Sequence, residues 1–407
     1  MRRFIYFFFI AFSSYNFSEI SLGVDVFFEE KHDLVLRDKN VGLITNHTGI
    51  NKSCFLTSDL FKKKCFNLKA LFCPEHGLKG NGYAFEKIVD AETEEGVPIY
   101  SLHGETRRPT EKMLKEIDVL IYDMQDIGVR AYTYATTLFY AMEEASKKNI
   151  EVIVLDRPNP MGGLVVDGPM LEDQFRSFIG YVNVPYCHGM TIGELAHFFN
   201  EEYKLGCKLK IVPMKGWKRS MKFSDTGLTW IPPSPHVPES DTPFFSASTG
   251  ILGEIELVNI GIGYTLPFKV VGAAWINADE FALQLNKLKL PGVSFTPFHY
   301  RPFYGSYKGT DCHGVLIVIQ DPQKYKPLSV QFALLGLLKS LYPEEFDKKI
   351  KAMTASKRRL FCLAAGNDRV ISLLEKEKFV TWKLLELDKE KREEFLKVRE
   401  KYLQKDY

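Results

Sequence analysis

The chain has 407 residues, more than one ordinary hydrophobic core supports. Its 45 % hydrophobic and 26 % charged residues are globular values that exclude a disordered or low-complexity protein. Its formal net charge of +2, without a basic stripe interleaved with aromatics, gives no basis for binding nucleic acid. The length predicts two domains, residues 23–230 and residues 231–407, or one large domain with an appendage.

The N-terminus, MRRFIYFFFIAF, combines two arginines with an apolar run. That run is shorter than the about 20 residues that a helix needs to span a bilayer. Residues 1–22 are therefore predicted to be a secretory signal peptide, with an uncleaved signal anchor as the alternative. Both alternatives predict an exported protein, periplasmic or extracellular. An uncleaved signal anchor would keep that protein attached to the membrane.

Short apolar runs alternate with helical patterns as far as about residue 192. The runs lack period-two alternation, which is typical of strands that are covered on both faces. The predicted strands are Val41–Ile44, Leu68–Cys73, Val119–Tyr122 and Val152–Leu155. The predicted helices are Ser58–Lys64, Pro109–Ile117, Tyr134–Lys148 and Thr191–Glu202, the last with a capping box. This order predicts an α/β fold with a Rossmann-like, doubly wound parallel sheet.

A proline-rich segment, Trp230–Pro243, is predicted to be an ordered loop or a linker. The strands predicted after it are Val270–Ile276, Val293–Tyr300 and Gly314–Ile319, and the helices are Ala278–Leu288 and Ser329–Ser340. They predict a second, smaller α/β domain. It is expected to end in a highly charged helix, Lys383–Gln404, with a solvated face.

Polar residues follow each of the first four predicted strands. Ligands of open α/β sheets bind outside the carboxyl ends of the strands, so these loops predict one cleft. Glu75 follows the second strand, and no helix begins there for it to cap. It is predicted to be a general acid, with a turn carboxylate as the alternative. Asp123 and Asp126 follow the third strand, and the pattern does not decide which of them faces substrate.

The other polar residues of these loops are predicted to bind substrate. Arg130 suits an anionic group, which a guanidinium holds by two hydrogen bonds. Tyr132 and Tyr134 form a stacking wall or pack in the core. Asp156 and Arg157 bind substrate or form a structural ion pair. The remaining candidates are Asn46, His76, Asn159 and His188.

The sequence lacks the motifs of several other functional classes. The chain has no G-x-G-x-x-G after the first strand, no Walker loop and no G-x-S-x-G elbow. Its seven cysteines include no C-x-x-C pair, and its nine histidines include no H-x-x-x-H pair. Neither a cofactor nor a metal is therefore predicted.

Four long motifs carry a family resemblance: VGLITNHTG from Val41, LFCPEHGLKG from Leu71, DVLIYDMQDIGVRAYTY from Asp118 and VLDRPNPMGG from Val154. They resemble the NamZ-type exo-β-N-acetylmuramidases, formerly a domain of unknown function. The resemblance implies a cleft between the two domains and an exo-acting glycoside hydrolase. The implied reaction releases N-acetylmuramic acid from the non-reducing end of peptidoglycan fragments.

The resemblance also implies site residues. Glu75 of the PEHG motif matches the family's catalytic glutamate, and Asp126 is preferred as its partner over Asp123 and Asp156. The lactyl carboxylate of muramic acid gives Arg130 or Arg157 an anion to hold. The implied ligand is a peptidoglycan-derived saccharide or muropeptide, and the oligomeric state stays open.

The chain departs from the family in one run. Where the family has SEGRGTTRPFE, residues 259–269 read NIGIGYTLPFK, so that Ile260 and Ile262 replace a glutamate and an arginine and Lys269 replaces a glutamate. If these positions face the cleft, apolar surface replaces two substrate contacts. A shifted substrate preference is then expected. A catalytically inactive muropeptide-binding protein is the alternative function.

Overall fold

The computed structural model describes residues 19–407, so most of the predicted signal segment lies outside the described residues. The last residues of that segment belong to the folded body. Ile20 and Leu22 are buried, and Ser21 exchanges two backbone hydrogen bonds of 3.0 and 2.9 Å with Lys215. Across the described residues, no helix is both long and apolar enough to cross a membrane, and all seven cysteine thiols are free.

The chain forms twelve strands and thirteen α-helices within residues 19–407. The strands are β1 (Asn40–Thr45), β2 (Asn67–Cys73), β3 (Ala91–Glu92), β4 (Pro98–Ser101), β5 (Val119–Asp123), β6 (Glu151–Leu155), β7 (Asp167–Met170), β8 (Pro185–Cys187), β9 (Leu209–Val212), β10 (Val270–Ala273), β11 (Val293–Tyr300) and β12 (Cys312–Ile319). The helices are α1 (Gly23–Glu29), α2 (Thr57–Lys63), α3 (Glu111–Leu114), α4 (Thr133–Lys147), α5 (Ile192–Glu202), α6 (Thr242–Gly253), α7 (Ala278–Lys287), α8 (Pro327–Leu341), α9 (Pro343–Lys351), α10 (Ala355–Ala365), α11 (Arg369–Lys376), α12 (Thr381–Leu385) and α13 (Lys389–Arg399).

The first unit is built on a seven-stranded sheet in the order β3-β4-β2-β1-β5-β6-β9. Every pair is parallel except β3 with β4. The six parallel strands, counted along the chain, therefore lie in the Rossmann order 3-2-1-4-5-6. The order reverses between β1 and β5, where Thr45 pairs with Asp123. The prediction of a Rossmann-like parallel sheet is confirmed.

Alternate residues of the central strands face two separate cores. Leu120 and Tyr122 of β5 pack in the core that α4 and α5 cover. Val119 and Ile121 pack in the opposite core, with Phe27 of α1. Both faces of the sheet are covered, and this explains why the strands read as continuous apolar runs. Their carboxyl ends all open at one edge, which positions the site.

The second unit contains an antiparallel three-stranded sheet in the order β10-β12-β11, packed with helices α6 to α12 around the largest core. A smaller α/β second unit was predicted, and this arrangement confirms it. The two-stranded sheet of β7 and β8 shares this core through Tyr186 and Cys187. Helix α13 then returns to the first unit, where Phe395 packs edge-on against Phe198 of α5.

The C-terminal segment differs from the predicted single charged helix. Asp388 adopts a left-handed conformation (φ 59°) between α12 and α13 and breaks the helix. Its carboxylate accepts hydrogen bonds from Arg369 (2.8 Å) and from the backbone N–H of Met170 (3.1 Å). Arg399 is also buried and donates to the carbonyl of Gly189 at 2.8 Å. These two charges hold the two units together, whereas Lys389, Glu390, Glu393 and Lys397 of α13 are exposed and form the predicted solvated face.

Candidate active site

A cleft of about 540 Å³ lies between the carboxyl edge of the parallel sheet and the second unit. The loops after β2 and β5 form one wall, and the end of α6 with the segment after it forms the other. Of the predicted site residues, Glu75, His76 and Tyr132 line this cleft. The other lining residues that matter chemically are Phe85, Thr133, Ser234, His236, Glu254, Glu256, Asn259, Ile260 and Ile262.

Glu75 is buried in the cleft wall and held by two donors. Its Oε2 accepts from the hydroxyl of Thr133 at 2.8 Å, and its Oε1 accepts from the backbone N–H of Phe85 at 3.1 Å. Thr133 begins α4, and the αL backbone of Phe85 (φ 65°) turns its N–H toward the carboxylate. Two unconnected loops therefore fix the orientation of this side chain.

Two histidines flank Glu75. The Nε2 atom of His103 lies 3.7 Å from its Oε1, and burial lowers the pKa of His103 below its usual range. His76 donates through Nδ1 to the carbonyl of Gly82 at 2.8 Å. Because a carbonyl can only accept, Nδ1 of His76 carries a proton there.

Asn46 and Tyr134 support the wall from behind. Asn46 donates to the hydroxyl of Tyr134 at 2.9 Å, and that hydroxyl donates to the carbonyl of Pro233 at 2.6 Å. Tyr134 also packs edge-on against Tyr132, with ring centroids 4.7 Å apart. The network ties the end of β1 to the proline-rich segment that carries Ser234 into the cleft. Both Asn46 and Tyr134 are fully engaged with protein groups.

Asp126 lies behind the cleft wall. Its Oδ2 accepts from the N–H of Gly128 at 2.7 Å, and its Oδ1 is buried without a hydrogen-bond partner in the described part of the chain. Burial raises the pKa of Asp126 to about 7. The structure does not bring this carboxylate to the surface of the cleft. A direct catalytic role for Asp126 stays a prediction.

Asp123 and Arg157 form a buried ion pair at the switch point of the sheet. The guanidinium binds both carboxylate oxygens, at 2.6 and 2.9 Å, and also donates to the carbonyl of Ile50. The hydroxyl of Thr57 donates to the same carboxylate. The adjoining pocket measures about 20 Å³, about the volume of one water probe. A sugar does not fit there, which favours the structural ion pair for Arg157, with Asp123 as its partner.

Asp156, Asn159 and His188 bind protein groups as well. Asp156 accepts from the N–H of Gly193 at 2.9 Å and so caps α5, and burial raises its pKa to about 6. The amide of Asn159 donates to the carbonyl of Met190 at 3.0 Å. His188 is fully buried, and burial lowers its pKa to about 3. These side chains fix the edge of the sheet and do not line the cleft.

Arg130 connects the two units. Its guanidinium donates to the carbonyls of Pro169 and Val184, both at 2.8 Å, and of Ala365 at 2.9 Å. Burial lowers the pKa of this group to about 10. The terminal nitrogens of this guanidinium, which was predicted to bind a substrate anion, therefore bind backbone carbonyl oxygens instead.

Several cleft residues were not predicted from the sequence. Thr133 and His103 contact Glu75, and their proximity depends on how segments distant in sequence pack. Ser234 and His236 come from the proline-rich segment, which was predicted to be an ordered loop or a linker and was given no site residue. Glu254 directly follows α6, a helix that was not predicted, and its pKa is raised by burial and then by neighbouring Glu256.

The run that departs from the family pattern faces the cleft in part. Ile260 and Ile262 both line it. Lys269 points elsewhere and pairs with Glu239 and Asp241. Apolar side chains therefore face the cleft at positions 260 and 262, where the family pattern has a glutamate and an arginine.

Among residues 19–407, no three His, Cys, Asp or Glu side chains cluster in a way that would hold a metal ion. The cleft chemistry that the described residues supply comes from carboxylates, imidazoles and hydroxyls. Hydrolysis of a glycoside by the paired-carboxylate mechanism requires two carboxyl groups.

Two family models together match most of the chain. Residues 41–241 match the N-terminal model of "Exo-beta-N-acetylmuramidase NamZ", and residues 246–404 match its C-terminal model. The chain belongs to the NamZ exo-β-N-acetylmuramidase family. Its two matched segments meet within the proline-rich region and α6, next to the cleft.

One curated relative and two solved structures cover most of the chain. It is 42 % identical over 335 residues to the peptidoglycan β-N-acetylmuramidase NamZ of Bacillus subtilis (strain 168), covering 81 % of this chain and 80 % of that protein. A crystal structure of a DUF1343 family protein from Bacteroides fragilis is 40 % identical, with a TM-score of 0.88 over 94 % of this chain and 98 % of the other. A second one is 26 % identical, with a TM-score of 0.69 over 95 % and 99 %.

Proposed function

We propose that this protein is an exo-β-N-acetylmuramidase, which releases N-acetylmuramic acid from the non-reducing end of peptidoglycan fragments, with Glu75 as its general acid. The observation that carries the proposal is the position of Glu75. It is a buried carboxylate at the carboxyl end of β2, oriented by two donors, and it opens into a cleft of about 540 Å³. The Bacillus relative, named for activity on peptidoglycan, supports the substrate class.

The two donors on Glu75 hold its carboxyl group in one orientation. The N–H of Phe85 can only donate, so Oε1 is always an acceptor. The hydroxyl of Thr133 can rotate and accept instead. A protonated Glu75 has one hydrogen to donate. We infer that this hydrogen passes to the glycosidic oxygen as the bond to the leaving sugar breaks.

The second carboxylate is Glu254 in this proposal. It lines the wall that the second unit contributes, so it lies in the same cleft as Glu75. Glu256 also lines the cleft, but it is paired with Lys357 and lies 3.8 Å from Lys349. Asp126, which the family resemblance favoured, is behind the wall. Glu254 is thus available to activate a water or to stabilise the positive charge that develops on the sugar.

Exposed aromatic rings at the mouth of the cleft suit the leaving sugar. Phe85 lines the cleft and is 76 % exposed. On the opposite side Tyr304 is 52 % exposed, and its hydroxyl lies 3.0 Å from the Nε2 of His236. Large exposed aromatics next to a polar cleft favour ligand contact over core packing. We infer that these rings contact the sugar beyond the scissile bond.

A second candidate function is a muropeptide-binding protein that has no turnover. The apolar residues at positions 260 and 262 favour it, because they remove polar contacts that the family pattern supplies. The intact surroundings of Glu75 favour the enzyme. An assay with a chromogenic N-acetylmuramic acid β-glycoside decides between them.

That assay uses the protein without residues 1–18, because Ile20 to Leu22 belong to the folded body. It also uses the disaccharide of N-acetylmuramic acid linked to N-acetylglucosamine. Release of the chromophore that is abolished in Glu75→Gln supports the proposal. No release from either substrate, together with measurable binding of a muropeptide, supports the binding protein and refutes the enzyme.

We also propose that the protein is exported, on the strength of the two arginines and the apolar run that follows them. Ser21 pairs with Lys215, and the N–H of Gly23 donates to Asp156 at 2.9 Å, so cleavage is expected before Ile20. N-terminal sequencing of the protein from its native cells tests this. A first residue beyond Leu22, or recovery in the cytosol, contradicts it.

A further inference from the structure

Two histidines of the second unit lie against each other outside the cleft. His299 belongs to β11 and His313 to β12, and their Nδ1 atoms are 2.8 Å apart. The centroids of the two rings are 5.0 Å apart, and the ring planes are inclined by 70°. Neither histidine lines the cleft. The proposed reaction therefore gives this pair no role.

The antiparallel sheet holds the two side chains together. His299 and His313 are directly opposite each other in the register of β11 and β12, so both side chains rise from the same face of the sheet. Strand β12 is hydrogen-bonded on both sides, and β11 is an edge strand of this sheet. His299 is exposed and His313 is half-buried. The backbone therefore fixes the pair, and solvent reaches it from the side of His299.

The contact between the rings places two nitrogen atoms at one point. Two Nδ1 atoms at 2.8 Å form a hydrogen bond when one of them carries a hydrogen and the other presents its lone pair. A neutral imidazole can carry its hydrogen on Nε2 instead, which is the other tautomer. In that tautomer both Nδ1 lone pairs are free to bind one cation, and neither ring has lost a hydrogen overall.

The separation of the two nitrogens indicates which cation fits. Two ligand bonds of about 2.0 Å at a right angle put their nitrogens about 2.8 Å apart, as in the square-planar geometry of Cu²⁺. The tetrahedral geometry of Zn²⁺, with bonds of about 2.0–2.1 Å, requires about 3.3 Å. Imidazole suits both metals, and the affinity order of the divalent ions has its maximum at Cu²⁺. The observed 2.8 Å therefore favours Cu²⁺.

The charges next to the pair neutralise each other. Arg301 follows His299 by two residues, and Asp311 precedes His313 by two. The guanidinium donates to both oxygens of this carboxylate, at 2.8 and 2.7 Å. The arginine charge is thereby compensated, and the carboxylate is engaged. Two imidazoles are thus the protein ligands, in agreement with the absence of any cluster of three ligating side chains among residues 19–407.

We propose that His299 and His313 form a binding site for one Cu²⁺ ion, with water completing its coordination. Each ring binds through Nδ1 and keeps its hydrogen on Nε2. The ion links the edge strand β11 to the central strand β12. The site is independent of the proposed function, because neither histidine lines the cleft. A search for H-x-x-x-H does not find it, since the two residues are 14 apart on separate strands.

The test titrates Cu²⁺ into the protein without residues 1–18 and without a histidine tag. Every version carries Cys54→Ser and Cys65→Ser, because these two thiols are exposed and free, and thiols also bind copper. Calorimetry is expected to show one Cu²⁺ per chain. Electron paramagnetic resonance is expected to show a tetragonal signal that is split by two imidazole nitrogens. The absence of a stoichiometric site, or a signal without nitrogen splitting, overturns the proposal.

Two substitutions locate the site. His299→Gln and His313→Gln each remove one ligand, and each should weaken Cu²⁺ binding by at least about tenfold, since loss of an outer-shell partner alone costs about 10–100-fold. His32→Gln is the matched control, because His32 is a partly exposed histidine beside Glu30 in the first unit, and its Kd should be unchanged. Binding unaffected in both ligand variants, at an unchanged melting temperature, contradicts the site.

A second metal tests the assignment of the cation. In the same background Zn²⁺ should bind at least about tenfold more weakly than Cu²⁺, as the distance between the nitrogens and the order of affinities imply. Zn²⁺ binding that is as tight as Cu²⁺ binding, and that is lost in His299→Gln, overturns the assignment to Cu²⁺.

Discussion

The carboxyl edge of the sheet has two regions that the sequence does not distinguish. At the switch point between β1 and β5, Asp123 and Arg157 bind each other, and the adjoining pocket measures about 20 Å³. Next to it, after β2, Glu75 opens into about 540 Å³. Rossmann folds bind their ligands at the switch point. In this chain that position is filled, and the cleft lies between the sheet and the second unit.

The difference lies in the partners of each side chain. Asp123, Asp156, Arg157 and His188 have protein groups on their polar atoms, so a ligand would have to displace them. Glu75 has two donors and still faces open space. A polar residue at the end of a strand therefore indicates a site only when its remaining lone pairs or protons face the cleft. The predictions that follow break or sharpen this contrast.

Glu75→Gln is expected to have the largest effect. A glutamine keeps the two hydrogen bonds but has no proton to give, so kcat should fall about 10³-fold, within the range for general acid catalysis. The melting temperature should stay near that of the wild type. Glu116→Gln is the control, since Glu116 is 69 % exposed and far from the cleft lining. A kcat that falls less than fivefold contradicts the role of Glu75.

Arg157→Met tests the other region. Removing one partner leaves the carboxylate of Asp123 buried and uncompensated, which should lower the free energy of unfolding by about 3–5 kcal/mol. Urea unfolding measures this, and kcat of the folded fraction should persist. Arg301→Met breaks an exposed pair with Asp311 and should cost less than about 1 kcal/mol. If the variant loses turnover but keeps the wild-type stability, Arg157 contributes to the substrate site and not to a structural ion pair.

Glu254→Gln tests the second carboxylate. With the charge removed from the opposite wall, we expect kcat to fall about 10²-fold, the lower end of the range for such groups. The matched variant is Asp126→Asn, in which a buried carboxylate behind the wall is replaced. A larger loss in Asp126→Asn than in Glu254→Gln would restore Asp126 as the partner of Glu75.

Thr133→Val removes one of the two donors on Glu75 and keeps the shape of the side chain. As a positioning residue, Thr133 should affect kcat by about tenfold, the size of one lost hydrogen bond to a charged or reacting group. Thr133→Ser should restore most of the activity, because it returns the hydroxyl. Failure of the serine variant to recover would assign the effect to packing.

Asp126 also predicts a pH dependence of stability. Burial raises its pKa to about 7 from the ordinary 3.8, so between those values the folded protein holds a proton that the unfolded chain releases. The free energy of unfolding then falls as pH rises through this window, by at most about 1.4 kcal/mol per pH unit. Asp126→Asn should flatten this slope in urea unfolding series at pH 5 and 7. If the slope is unchanged in Asp126→Asn, the raised pKa of Asp126 is contradicted.

Much of the sheet was predictable from the sequence. The apolar runs at β1, β2, β5 and β6 sit within one residue of the observed strands, because strands covered on both faces carry a strong signal. The two-residue β3 and the four-residue β4 were not predicted, since short edge strands carry little pattern. The break at Asp388 was not predicted either, because its carboxylate is satisfied by Arg369, which is distant in sequence.

The candidate site was predictable only in part. Glu75 stood out as a carboxylate after a strand with no helix to cap. Asp123 and Arg130 carry the same local signal, yet their partners come from distant segments such as residue 157 and the end of α10. Local pattern gives the residue type at the sheet edge. The packing of the second unit decides which of those residues face a ligand.

The most direct test of this account is a crystal structure of the Glu75→Gln variant with the disaccharide of N-acetylmuramic acid and N-acetylglucosamine. We predict the muramic acid ring in the cleft, with the glycosidic oxygen within about 3.2 Å of the residue 75 side chain. The pocket beside Arg157 should hold no sugar. A disaccharide bound at the switch point, or one whose glycosidic oxygen lies away from residue 75, would contradict the central claim.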